Sequence, residues 1–286
     1  CQNGLSLRQS GGRCLVMTSY DYIAMAAILL IGVPHGGLDG AVARRIGWPM
    51  SSWGWITFHL AYILIAIFVM GIWWLLPLTS LVAFLMISGL HFGASDIKHI
   101  DEIGSKRWLP LLAHGGLVPI AIPGFQPDAV LPIFNILVGE QSSAMLLKTI
   151  TPIFLAYIAV VTAYLLFSFK YAKWRSCVAN LLALLVLTYS FSPLVSFAIY
   201  FCLWHSRSHY ARIWKSIALS HRPRCITETV VYSICAWLAA VGFYWYFQMT
   251  LNQGLIEIIF IGLAALTVPH MLLVDLADSN SNQFKL

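Results

Sequence analysis

Residues 53–76 read WGWITFHLAYILIAIFVMGIWWLL, twenty-four consecutive positions without one Asp, Glu, Lys or Arg. About 20 largely apolar residues are what a helix needs to cross the hydrocarbon core of a bilayer. Similar stretches recur from Tyr22 to Leu273. Over the whole chain of 286 residues, 59% are hydrophobic, 14% aromatic and 10% charged. A soluble domain carries roughly a quarter charged residues, so the charge here is too sparse for an ordinary water-facing surface. Soluble enzymes, disordered proteins and nucleic-acid-binding modules are excluded. The pattern is that of an all-α polytopic membrane bundle.

The net charge of +6 and pI near 9.0 are topology signals in such a chain and call for no nucleic-acid partner. The six cysteines contain no CxxC pair, and disulfide frameworks belong to small secreted chains. Residues 1–16 are polar and Gly-rich without an apolar core, so they are not a signal peptide. They read as a non-native or disordered leader, with Met17 as the natural start and 17–286 as a single catalytic membrane domain.

Nine spans are expected, with eight and ten as neighbouring counts: Tyr22–Val42, Trp53–Leu76, Thr79–Ile97, Leu109–Ile122, Thr151–Phe169, Ser176–Ser192, Pro193–Trp214, Ile226–Met249 and Leu255–Leu273. Prolines disturb the short fourth span. Val130–Leu147 reads as a half-span or an interfacial helix. With the amino end outside, fourteen of the seventeen basic residues fall in inward loops, from Arg44 and Arg45 to Lys285. This asymmetry predicts a multi-pass inner-membrane protein with a cytoplasmic carboxyl end.

Ionisable groups inside spans are costly and point to function. Four motifs carry them: PHGGLD at 34–39, HFGASD at 91–96, WHSRSH at 204–209 and PHMLLVD at 269–275. Odd-numbered spans carry His near their carboxyl ends; His59 and His114 lie early in even ones. All therefore fall in the cytoplasmic half of the bilayer. His205 and His209 are spaced i, i+4, so they share a helix face and can ligate one ion. With His35 and His91 at the same depth they predict a metal site, and imidazole ligation suits iron, copper or zinc. Asp39 follows His35 by four residues and can accept an imidazole N–H. Asp96 and Asp275 follow their histidines by five and are expected to pair elsewhere, for example with Arg207. Gly32, Gly36 and Gly40, like Gly89 and Gly93, form small-xxx-small ridges that let helices approach closely.

At these four motifs the sequence resembles the Brp/Blh family of bacterial and archaeal β-carotene 15,15'-dioxygenases, over essentially Met17 to Asp275. The resemblance implies an integral membrane enzyme that splits β-carotene with O2 into two molecules of all-trans-retinal at non-haem Fe(2+). It implies His35, His91, His205 and His209 as iron ligands, with His270 and Asp39 beside them. It also implies a lipid-dissolved substrate and a retinal product passed to a microbial rhodopsin. Phe92, Tyr200, Phe201, Trp204 and Tyr210 are candidate polyene contacts. Rival readings are a His-box membrane desaturase or hydroxylase, whose HxxHH boxes are missing here, a bis-His haem-b electron carrier, and a proton-coupled transporter.

Overall fold

The computed structural model describes residues 16–98 and 107–283, the side chains of His35 and of 275–283 excepted. His99, Lys106, Lys285, the expected leader up to residue 15 and the Asp275 side chain lie outside the described residues. Eleven helices follow: α1 (Ser19–Arg45), α2 (Ser52–Leu75), α3 (Pro77–Asp96), α4 (Trp108–Gly115), α5 (Leu117–Phe125), α6 (Pro127–Val138), α7 (Glu140–Lys170), α8 (Arg175–Ser190), α9 (193–216), α10 (Arg222–Phe247) and α11 (Leu251–Gln283). Among the described residues there is no strand. The chain is an all-α polytopic membrane bundle.

Six helices (α1, α2, α3, α7, α10 and α11, this last counted to Val274) are long and apolar enough to cross a membrane. The pair α4 and α5, bent by 47°, makes a seventh if it is one broken span. The bend frees backbone groups that lipid could not satisfy; the Tyr157 hydroxyl donates to the Ala113 carbonyl there at 2.7 Å. α8, at 16 residues, is helical where a span is expected but is too short to join those six, and α9 is long enough but turns polar from Arg207 on. Val130–Leu147 is two elements: Gly139, at a φ of 82° that favours glycine, separates α6 from α7.

Local chemistry sets where α1 starts. Thr18 and Asp21 form a reciprocal capping box, satisfying amides that the first turn leaves open. Asp21 also accepts from the Ser192 hydroxyl at 2.6 Å, which ties that turn to the junction of α8 and α9. At the other end of the bundle, Glu228 of α10 accepts from Arg44 of α1 at 2.7 and 2.8 Å and from Arg224 at 2.8 Å. Both guanidinium groups lie over the Trp55 ring, at 5.5 and 5.6 Å. The basic ends of α1, α2 and α10 are thereby fastened together.

Glycines set how close the site helices come. A Cβ on Gly89 would lie 2.9 Å from the Gly115 carbonyl oxygen, and one on Gly93 would meet the Leu111 carbonyl. α3 and α4 thus touch backbone to backbone, as the spacing of Gly89 and Gly93 predicts. Gly93→Ala should cost about 1–3 kcal/mol through overpacking, seen as a lower unfolding temperature in detergent. Gly71 has open space around its Cα, and Gly71→Ala should leave that temperature unchanged or raise it. Equal temperatures for Gly93→Ala and wild type would show that the helices are further apart.

Candidate metal centre

Three helices bring imidazoles into one buried cluster. α3 carries His91, α9 carries His205 and His209, and α11 carries His270; all four are buried. Ring centroids lie 5.1 Å apart for His91 and His205, 4.9 Å for His209 and His270, 5.8 Å for His91 and His270, and 6.2 Å for His205 and His209. Two stretches at the site are π-helical and wind wider than an α-helix. Ile28–Gly32 is π-helical and runs into the 3-10 turn Val33–Leu38 that holds His35; Ile199–Ser206 is π-helical and contains His205. Such π segments are frequent at functional sites, because the added residue re-aims side chains.

A metal–nitrogen bond of about 2.1 Å puts the ring centroids of two ligands to one ion roughly 4.5–6.5 Å apart. All four spacings fall in that range. Those spacings are compatible with shared ligation, and imidazole is a donor type that borderline transition metals take. Among the described residues no three His, Cys, Asp or Glu side chains already close on a single point. The remaining expected ligand, His35, has its backbone in the turn beside this cluster and its side chain outside the described residues.

Asp39 belongs to His270. Its Oδ1 accepts from His270 Nδ1 at 2.7 Å, both groups being buried. A carboxylate can only accept, so in the neutral imidazole Nδ1 carries the proton and Nε2 the lone pair. The Tyr62 hydroxyl donates to Asp39 Oδ2 at 2.9 Å and lies 3.2 Å from the Leu266 carbonyl. Tyr62, Asp39 and His270 thus form one chain of hydrogen bonds across α2, α1 and α11. The sequence expectation is that Asp39 accepts the N–H of a neighbouring ligand; its imidazole partner is His270, which is not one of the four expected ligands.

Asp96 pairs away from His91, as its five-residue spacing predicts, but with partners other than the Arg207 or backbone donors expected. It accepts from the Tyr200 hydroxyl at 3.1 Å and pairs with His114 Nδ1 at 3.4 Å, not with Arg207. Five residues beyond His91 turns it away from the cluster and towards α4. The Tyr200 ring in turn packs edge-on to Phe92, 5.2 Å away, and Phe92 on His205 at 4.7 Å.

The imidazole cluster borders a cavity of about 620 Å³ walled by six helices, with Asp39, His91, His205 and His270 in its lining. Its exposed wall is mostly apolar, with His59, Tyr62, Ser88, Tyr232, Ser233 and Thr267 as further polar side chains in the lining. Of the expected polyene contacts, Phe92 and Phe201 line it, whereas Tyr200, Trp204 and Tyr210 do not. Phe58, Tyr62, Phe84, Phe197 and Tyr232 take their place; nothing in an apolar span marks which aromatic will face inward. Ser88, one turn before His91, brings to the same wall a buried hydroxyl without a hydrogen-bond partner. His59 also lines the cavity: its Nδ1 donates to the Trp55 carbonyl at 2.8 Å, so Nε2 accepts the Tyr232 hydroxyl at 2.8 Å.

The family model for beta-carotene 15,15'-dioxygenase matches residues 26–278, a stretch that contains all six predicted site residues. The chain belongs to this family. It is 34% identical over 262 residues to a beta-carotene 15,15'-dioxygenase of an uncultured marine bacterium, 66A03, covering 89% of this chain and 93% of that one. It is also 27% identical over 213 residues to a probable beta-carotene 15,15'-dioxygenase Blh of Halobacterium salinarum, covering 66% of this chain and 60% of that relative. No solved structure matches. The chain is thus a family member over nearly its whole length.

Asp39→Ala should remove the carboxylate that accepts from His270 Nδ1 and leave Tyr62 Oη with only the Leu266 carbonyl, at a cost of about 1–3 kcal/mol. Tyr62→Phe removes one donor and leaves Asp39 with His270, so it should cost clearly less. Thermal unfolding of the purified variants in detergent measures both. Equal stability of Asp39→Ala and wild type would show that the three groups are not bonded.

Proposed function

We propose that this chain cleaves β-carotene at its central 15,15' double bond with O2, giving two molecules of all-trans-retinal. We also propose that it does so at one non-haem Fe(2+) held by His35, His91, His205 and His209. The observation that supports this best is a cluster of buried imidazoles facing an apolar cavity, in a chain that matches the family along its length. The reaction balances without a further reductant: the carbon–carbon double bond breaks and each half keeps one oxygen atom as an aldehyde.

Bound Fe(2+) would supply the activation of O2, while neutral imidazoles leave its full charge uncancelled. The protein's own residues do the rest. Asp39 fixes the His270 ring, and with it one side of the cluster. The aromatic walls, Phe92 and Phe201 among them, hold a rigid polyene by area and shape. An apolar lining keeps water from the reacting carbons. Residues 17–286 act as one catalytic unit in the inner membrane, with nine crossings and the carboxyl end in the cytoplasm. The retinal leaves to a retinal-binding protein such as a microbial rhodopsin.

Expression in cells that make β-carotene should bleach their colour and yield two retinals for each carotene consumed, without long apocarotenals. The purified protein should hold one iron per chain and show no Soret band. His205→Ala should lose most of the iron and restore the colour, whereas His221→Ala, in the basic loop before α10, should still bleach. Asp39→Ala should weaken iron affinity or activity by roughly 10- to 100-fold. Unchanged carotene in cells with well-expressed, iron-loaded protein would overturn the reading. Reporter fusions after Arg45, Arg107, Arg175 and Arg224 should read cytoplasmic, and fusions after Pro77 or Gln253 periplasmic. A periplasmic signal from any of the first four would overturn the topology.

A further inference from the structure

α2 and α10 are the most lipid-exposed of the long apolar helices, with 6% of each apolar stretch buried. They run side by side in the same direction. Near their basic ends His59 and Tyr232 are hydrogen-bonded at 2.8 Å. Fifteen residues on, roughly 22 Å further along, Trp74 of α2 and Phe247 of α10 meet ring to ring with centroids 5.2 Å apart. The two helices are thus fastened at two levels.

Between those levels the cavity reaches the outside. Ile63 of α2 and Cys235 and Ala239 of α10 line it, yet all three are exposed, Ile63 to 54%. A side chain that both walls a cavity and faces outward marks its rim. These three lie mid-helix in apolar stretches, so the medium outside the rim is the hydrocarbon of the bilayer. The small side chains of Cys235 and Ala239 keep the α10 side of that rim low. His91, His205 and His270 line the same cavity. A molecule passing the rim therefore meets the imidazole cluster without crossing water.

We propose that the seam between α2 and α10, at Ile63, Cys235 and Ala239, is the lateral portal through which a long apolar substrate passes from the bilayer to the imidazole cluster. This rests on the carotenoid-cleaving reading of the site and names the route the substrate takes. A polyene dissolved in lipid loses nothing by sliding from one apolar medium into another, whereas a route through an aqueous mouth would expose its whole length to water. The His59–Tyr232 bond and the Trp74–Phe247 contact set the portal's two ends, which suits a slender rod.

The test uses the full chain in proteoliposomes containing β-carotene. Cys235→Trp and Ala239→Phe should each lower kcat/KM about tenfold, mainly through KM, with iron content and unfolding temperature as in wild type. Val241→Trp, on an exposed part of α10 outside the cavity lining, should turn over normally. Because a bulky residue can disturb folding, a reversible arm accompanies it. In Ile63→Cys, a bifunctional thiosulfonate joining residue 63 to the native Cys235 should stop turnover, and reduction should restore it. Normal turnover by the linked protein, or by both Cys235→Trp and Ala239→Phe, would overturn the portal. Inactive wild-type protein with iron bound would instead overturn the reading of the reaction.

Discussion

Buried imidazoles in an apolar bundle are the constraint on which the rest of this structure depends. A polar ring in hydrocarbon is expensive unless another group satisfies it, and the chain brings His91, His205, His209 and His270 to one place from three helices. Asp39 and Tyr62 extend that arrangement to two more helices. Five helices are therefore held in register by a polar core that leaves little freedom to slide. A second buried group joins α3 and α9 through the Tyr200–Asp96 hydrogen bond, with His114 of α4 at 3.4 Å from the same carboxylate. Polar contacts here supply specificity of packing, which an apolar medium around the helices supplies poorly.

Small residues and helix irregularities make that convergence possible. Gly89, Gly93 and Gly115 let α3 and α4 meet at the backbone, which seats the helix that carries His91. The π-helical turns at Ile28–Gly32 and Ile199–Ser206 change the winding within the chain segments that carry His35 and His205. In His205 and His209 the expected i, i+4 relation survives, with rings 18° from parallel. The same helices leave a cavity beside the cluster, so one piece of packing yields both the donor set and the space it serves.

The distribution of exposure completes the picture. α2 and α10 contribute the fewest buried residues to the bundle, yet both wall the cavity, and basic groups clamp their near ends around Trp55. Rigid fastening at the polar end and loose packing in mid-membrane divide the bundle between holding a fixed site and admitting a large apolar molecule. A site of this kind would need both.

Composition and hydropathy by themselves determined the fold class, because a chain with so few charges can satisfy its backbone in lipid only by helices or a closed barrel. Long uninterrupted apolar runs then selected helices. Four motifs likewise singled out His91, His205, His209, His270 and Asp39, since ionisable residues in apolar stretches stand out against their surroundings. What the sequence left open depended on rotation and distance between helices. That Asp39 serves His270, and that Asp96 turns away to Tyr200 and His114, follows from which faces of α1, α3, α4, α9 and α11 meet. Tyr62, Ser88 and Tyr232 were invisible for the same reason: a tyrosine or serine in an apolar span carries no mark of the side it faces. The two bends of the chain at Gly116 and Gly139 decided that α4 and α5 are a broken pair and that Val130–Leu147 is two helices. Hydropathy reports length along the chain; only tertiary packing decides which side chains share a cavity.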